Sequence, residues 1–372
     1  MLRLTGPPMP LRLSGKPLPM VGHVRMYVCG ITPYDVTHLG HASTYIWADA
    51  ADRVLRWHGH SVTLARNVTD IDEVLFAEAR RRGKQYSMLA TLQRESFEAT
   101  MATLRVRTPD HSPTAAQAVG HVVQLASALL ARDRAYLRGG TVYARTSGAA
   151  AAAGLDEDDA VALAAAYHDH PEDPAKEHPL DVAVWHESAD DEVCWPSPWG
   201  DGRPGWHAEC AAMVLALFGP SVDLHCGGAD LAYPHHACEA LLAEAATGVA
   251  PFARSWLRAG TVNIAGAKMA KSTGNLVLVN DLLRTHPAAA VRLLCLDRRW
   301  SQAWSFTPDA LDDATAALER LYAAAARPGN DSGSAAVTAA LREDLDVPTA
   351  LQIALEDGGQ AARTLTEVLA LG

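Results

Sequence analysis

The sequence predicts an α/β fold built on a parallel sheet, interrupted by an insertion and followed by a small helical domain. Two observations carry this. Strand candidates alternate with helical periodicity, first the short apolar run Met26–Val28 and Val62–Arg66, then Val222–His225 and Trp256–Ile264; that order suits a parallel sheet with crossover helices. From Asp281 on, the spacing is helical, with breaks near Ser305–Pro308 and Pro328–Ser334.

In chain order, Met1–His23 is Pro- and Gly-rich and reads as a loose arm, taken as residues 1–25. The Met26–Val28 strand ends at Cys29-Gly30, and Ala42–Trp57 forms a helix with His38 and His41 at its N-terminus. Asn67–Asp72 follows the second strand and leads into a helix through Arg82. These elements make the first half of the sheet domain, residues 26–108. The texture then changes over residues 109–203, read as an inserted connective region. It holds an amphipathic helix at Ala116–Arg132 and a hairpin at Leu137–Ala144 turning on Gly139-Gly140. The Ala-rich Ser147–Ala166, with its acidic knot at Asp156–Asp159, reads as a mobile linker, and the run to Trp199 as irregular surface chain. The sheet domain resumes over 204–280 with Pro204–Cys210 opening a helix to Phe218, and Tyr233–Glu239 opening another. Residues 281–372 form the helical domain.

The 372 residues suffice for two or three domains. A formal net charge of −11 argues against a mainly electrostatic nucleic-acid binder, and no apolar run approaches the roughly 20 residues a membrane helix needs. These features predict a cytoplasmic protein that does not engage a membrane. None of the six cysteines forms a close CxxC pair, which favours burial or metal binding over disulfides.

Cys29 at a strand's carboxyl end and two histidines at the next helix's N-terminus occupy the place where open α/β sheets bind ligands, and a helix N-terminus favours phosphate. The same pattern also fits a buried thiol beside capping histidines. Cys29, Cys210 and His235 each stand at or near a helix start, and Glu239 shares a helical face with His235; the set suits zinc or plain burial. Lys268 and Lys271, in a Gly-flanked loop, could neutralise a triphosphate.

Together His38-Leu39-Gly40-His41 and Lys268-Met269-Ala270-Lys271-Ser272 resemble the HIGH and KMSKS motifs of class I aminoacyl-tRNA synthetases. Within that class, Tyr27–Gly30, Asn67–Asp72, Gly205–Cys210 and Gly227–Glu239 are similar to the cysteine-activating branch, over roughly Met26 to Phe306. The resemblance implies a Rossmann (HUP) nucleotide-binding domain. It further implies one zinc ion held by Cys29, Cys210 and His235, with Glu239 at the family's fourth-ligand position, and ATP, with Mg2+, as co-substrate. His38, His41, Lys268 and Lys271 would act on the ATP phosphates. Thr32, Thr69, Trp206, Gly228 and Asp230 would hold the adenylate or the cysteine ammonium, Asp230 as a carboxylate facing that ammonium or, alternatively, as a helix cap.

Two kinds of enzyme share this core, cysteinyl-tRNA synthetases and the cysteine ligases of mycothiol biosynthesis, which use the amine of glucosaminyl-inositol as acceptor. Ile31, Pro33 and Ser43 resemble the ligases. Only 100 residues follow Ser272, and Asp309–Gly372 holds eleven Asp or Glu against four Arg, which would work against tRNA phosphates. The expectation is a monomeric ligase acting on L-cysteine, ATP and glucosaminyl-inositol, without tRNA. Ala270 for the KMSKS serine, Cys226 for a glycine and Ala229 for a serine are departures from the pattern. They leave two alternatives, a synthetase with a shortened C-terminus and a catalytically silent binding module.

Overall fold

The computed structural model describes residues 10–18, 20, 22–34, 36–188, 193–269, 274–328 and 331–372. Lys271 and Ala270 lie outside the described residues. Residues 10–18 are not a loose arm. They form a hairpin, β1 (Arg12–Leu13) with β2 (Lys16–Pro17), whose Leu11, Leu13 and Leu18 are buried in the main core. Ser14 N–H donates to Asp344 Oδ1 at 2.7 Å. Each buried leucine is worth about 1.5–3 kcal/mol, enough to dock a Pro- and Gly-rich segment.

The first crossover unit is β3 (Val24–Ile31), α1 (Leu39–Trp57) and β4 (Val62–Val68). Helices α2 (Glu73–Arg81) and α3 (Tyr86–Thr103) follow. Residues 111 and 114 then bridge the outer edge of β4 in parallel, before α4 (Ala115–Ala131) starts from a Thr114/Gln117 capping box. The expected hairpin is β5 (Ala135–Arg138) and β6 (Thr141–Ala144), with Gly139 in the left-handed region its turn requires.

Ser147–Ala166 is helical rather than a linker, forming α5 (Gly148–Ala152) and α6 (Glu157–Ala166). The acidic knot is a helix start. Asp156 caps the Asp159 N–H, and three acids occupy the first turn, where the helix dipole favours them. Ala149, Ala150, Ala160 and Ala164 pack inward. The chain to Trp199 is likewise not all irregular. It contains β7 (Val182–Glu187), with Trp185 fully buried, which pairs antiparallel with β6 and with β8 (Gly202–Pro204).

The sheet resumes after α7 (Trp206–Phe218) with β9 (Leu224–Gly228), which runs three residues past the expected strand and makes Gly228 its last member. After α8 (Ala237–Thr247) comes β10 (Trp256–Ala259). The expected single strand to Ile264 breaks at Gly260, whose Cβ, if present, would lie 2.1 Å from the Gln302 carbonyl oxygen. β11 (Val262–Ile264) therefore joins a separate small sheet with β12 (Ala267–Lys268) and β13 (Trp304–Ser305). Helices α9 (Val279–Thr285), α10 (Ala288–Leu296), α11 (Pro308–Ala325), α12 (Asp331–Arg342), α13 (Val347–Asp357) and α14 (Gly359–Val368) complete the chain.

The central sheet is all parallel in the order β10–β9–β3–β4. From β3 the chain winds outward to β4 on one side, and from β9 to β10 on the other. The carboxyl ends of β3 and β9 therefore flank a topological switch point, where such sheets open a crevice. Fully buried Arg292 on α10 locks the helical domain to this sheet layer, donating to Asp49 Oδ2 at 2.7 Å, Leu104 O at 2.9 Å and Leu369 O at 2.8 Å. Among the described residues, no helix is long and apolar enough to cross a membrane.

Candidate active site and metal centre

A cavity of about 380 Å³ opens at the switch point. Cys29, Thr32, His38, His41, Thr69, Trp206, Cys210, Gly228, Asp230, His235 and Lys268 all line it. These candidates thus share one cavity, although the chain delivers them from positions 29 to 268, while Glu239 lies outside its lining.

At its inner end, β3 carries Cys29, α7 carries Cys210, and a kinked turn at Ala232–His236 carries His235. Their donor atoms lie within 4.8 Å of one another and all three residues are buried. A second set, Cys29, His225 and His236, meets the same criterion. Burial, then Cys210 and Glu239 nearby, push the Cys29 thiol well above its usual pKa; burial, then His207 and His225, hold His235 neutral. Two thiols, a carboxylate and neutral imidazoles crowded into a dry site make a donor set that a divalent cation satisfies, and the sulfur and nitrogen donors suit zinc. Glu239 stands behind Cys29, its Oε2 4.0 Å from Sγ, while His225 Nε2–H donates to Oε1 at 3.0 Å. Asn67 Nδ2 donates to Cys210 Sγ at 3.4 Å.

An orienting chain runs from His235 outward. His207 Nδ1 is 2.9 Å from His235 Nδ1, and His207 Nε2 is 3.0 Å from Asp169 Oδ2. The carboxylate can only accept, so His207 carries its proton on Nε2. His207 Nδ1 then accepts from His235 Nδ1–H, leaving His235 Nε2 as the nitrogen able to bind a cation. Trp206 stacks on His235 at 4.2 Å between centroids, and Tyr167 lies beyond Trp206 at 6.0 Å.

Asp230 is not a simple helix cap; its carboxylate faces the cavity and pairs with Lys268 Nζ at 2.7 Å. Burial works against the lysine's charge, but Asp230 outweighs it and raises the Lys268 pKa above the usual value. Tyr167 OH donates to the Asp230 carbonyl at 2.9 Å. Toward the outer end, His38 caps α1, its Nδ1 accepting from His41 N–H at 3.4 Å, and the two rings stack at 3.7 Å. Leu39 N–H donates to Val277 O and Val279 N–H to Thr37 O. The chain just past the lysine loop is thereby pinned to the histidine turn. Thr32 and Thr69 hydroxyls meet at 2.9 Å. Gly30 lets β3 pass β4 closely, since a Cβ there would sit 1.6 Å from Asn67 O.

Sequence reasoning missed Tyr167, Asp169, His207 and His225. The first two lie just past Ala166, in the stretch read as irregular surface chain, with no local signal. His225 at the end of the strand expected over Val222–His225, and His207 inside the Gly205–Cys210 stretch, carried position signals that were readable. Cys226, singled out as a departure, faces the α1 side as a fully buried core residue of β9.

Residues 18–316 match the family described as tRNA synthetases class I (C) catalytic domain. The chain is 40% identical over 377 residues to the L-cysteine:1D-myo-inositol 2-amino-2-deoxy-alpha-D-glucopyranoside ligase of Thermobispora bispora, covering 97% of this chain and 93% of that one. It is 39% identical over 352 residues to the cysteine--tRNA ligase of Halorhodospira halophila, covering 93% and 76%. Among solved structures, Mycobacterium tuberculosis methionyl-tRNA synthetase bound by methionyl-adenylate aligns with a TM-score of 0.62 at 18% identity, covering 93% and 84% of the two chains, a likeness of fold. This chain belongs to the class I tRNA synthetase (C) catalytic-domain family and, within it, to the L-cysteine:1D-myo-inositol 2-amino-2-deoxy-alpha-D-glucopyranoside ligases.

Proposed function

We propose that the protein joins L-cysteine to the amine of glucosaminyl-inositol through a cysteinyl-adenylate. The observation that carries this reading is the single cavity with a thiol–imidazole cluster at one end, the α1 N-terminus at the other, and Asp230 between them. A zinc ion held by Cys29, Cys210 and His235 would supply a soft acceptor for the substrate thiolate, selecting sulfur over a hydroxyl. Asp230 takes the substrate ammonium, and in doing so releases Lys268, its present partner, toward the ATP phosphates.

His38, His41, Lys268 and Lys271 neutralise the phosphate chain beside the α1 N-terminus. The cysteine carboxylate oxygen attacks the α-phosphorus, and pyrophosphate leaves with the bridging oxygen's electron pair. Thr32, Thr69, Trp206 and Gly228 hold the adenylate in place. The acceptor amine then attacks the carbonyl carbon. The C–N bond forms, the C–O bond to phosphate breaks, AMP takes the electron pair, and the nitrogen gives up one proton to solvent and keeps the other as the amide N–H. The names of the relatives, the Ile31/Pro33/Ser43 variant of the first motif and the acidic C-terminal helices support the sugar amine as acceptor. The 39% identity to a cysteine--tRNA ligase supports tRNA as the rival.

Parallel assays of the purified protein decide between them. The expected result is cysteine-dependent ATP–pyrophosphate exchange, lost on zinc chelation, together with amide formation on glucosaminyl-inositol. Efficient cysteinylation of tRNA with no turnover of the sugar would overturn the acceptor assignment. Failure of exchange would overturn the activity itself.

A further inference from the structure

Beside the adenylate cavity lies a second, of about 710 Å³, which the proposed chemistry has not used. Tyr167 and Trp206 line both, so these two aromatic side chains form a shared wall between them. Tyr167 is itself tied to Asp230, the residue assigned to the substrate ammonium. The remaining walls of the second cavity come from the start of α2, from Tyr143 of β6, from residues 168–176 of the insertion, from β7 and β8, and from His207 of α7, not from the phosphate-facing elements.

Its chemistry differs from that of its neighbour. Asp72, Glu73, Asp169, Glu172 and Asp173 line it, against only Lys176 and Arg203 as fixed cations. Both cations are already engaged: Arg203 pairs with Glu73 at 2.7 Å, and Lys176 donates to the backbone carbonyl of Asp169. Asp173 is held in place by Tyr143 OH at 2.5 Å and Ala175 N–H at 2.9 Å, and these donors hold its carboxyl below the usual range. Carboxylates in excess attract an ammonium and accept from hydroxyls. The faces of Tyr143, Tyr167 and Trp206 suit the C–H face of a sugar ring. The same walls repel a phosphate backbone. The volume is ordinary for a small-molecule site.

We infer that this second cavity is the acceptor site, built for a small, cationic, hydroxyl-rich amine such as an amino sugar, which reaches the activated carbonyl past the Tyr167/Trp206 partition. The inference rests on the function proposed above and adds to it the place where the second substrate binds. A nucleic-acid acceptor would meet these carboxylates at its entry.

The test uses the full-length, zinc-replete enzyme with Glu172→Lys and Asp173→Asn variants and glucosaminyl-inositol as the probe. Glu172 is exposed, and so is His170, its partner at 3.2 Å, so its replacement should leave the fold intact. Neither residue lines the adenylate cavity, and exchange of pyrophosphate into ATP should stay within about twofold of the unaltered enzyme. The KM for the amino sugar should rise about tenfold in Glu172→Lys, as expected when an exposed pair is not merely lost but reversed. It should rise about threefold in Asp173→Asn, with kcat near its starting value. If the unaltered enzyme uses the sugar and both variants keep its KM, the cavity assignment is wrong while the function stands. If the unaltered enzyme charges tRNA and ignores the sugar, both fall.

Discussion

Removing the carboxylate of Asp169 should loosen the metal centre without touching a ligand. In the folded chain Asp169 accepts from His207 Nε2 at 3.0 Å, and His207 Nδ1 faces His235 Nδ1 at 2.9 Å. With an alanine at 169, nothing holds the His207 proton on Nε2. The ring can carry it on Nδ1 and donate to His235, which forces the His235 proton onto Nε2, the nitrogen otherwise left able to bind a cation. Outer partners of this kind are worth 10–100-fold in metal affinity, or about 1.4–2.7 kcal/mol. Competition with a chromophoric chelator should show zinc affinity reduced by that factor in Asp169→Ala and in His207→Ala. The loss should be smaller in Asp169→Asn, whose amide oxygen can still accept. Cobalt substitution gives a second readout, since the thiolate charge-transfer band should persist with Cys29 and Cys210 intact. Zinc affinity within twofold of the unaltered protein for both alanine variants would refute the orienting chain.

Cys210→Ala should abolish both zinc binding and cysteine-dependent pyrophosphate exchange while a thermal melt still shows a cooperative transition; retained exchange would remove Cys210 from the metal set. Arg292→Met should cost about 3–5 kcal/mol, because it strands part of the charge on buried Asp49 and unpairs the Leu104 and Leu369 carbonyls; a denaturant midpoint unchanged from the parent would contradict this. His58, buried at the end of α1, has its pKa pulled below 6.5, first by burial and then by Arg342 and His60, against the Thr338 carbonyl that favours its charge. The unfolded chain therefore binds the extra proton first, so this group lowers stability as pH falls below about 6.5. His58→Gln should flatten the fall in melting temperature between pH 7 and pH 5.5, and an unaltered slope would exclude the residue as its source.

Much of the sheet domain was legible from local pattern. A buried parallel strand such as the one begun by Met26–Val28 reads as an apolar run, and crossover helices show an apolar face, so order and type follow from periodicity. The misreadings occur where tertiary contacts override composition. Leu11, Leu13 and Leu18 dock a stretch that looks unstructured, and a bed for Ala149, Ala150, Ala160 and Ala164 turns a linker-like sequence into two helices. Gly260 divides one expected strand between two sheets because the Gln302 carbonyl passes too close for any side chain.

The sequence by itself, through its resemblance to the class I synthetases, singled out the residues proposed for the chemistry: Cys29, Cys210 and His235 as candidate donors, His38, His41 and Lys268 for the phosphates, Asp230 as a carboxylate among them. Only the tertiary structure decided what stands around them. Asp169, His207 and Tyr167 act through neighbours 28 to 63 residues away in the chain, and no local spacing encodes such a contact. The acidic second cavity is likewise assembled from α2, the insertion and β8, segments whose charges read singly as solvated surface and become one surface only when the chain closes on itself.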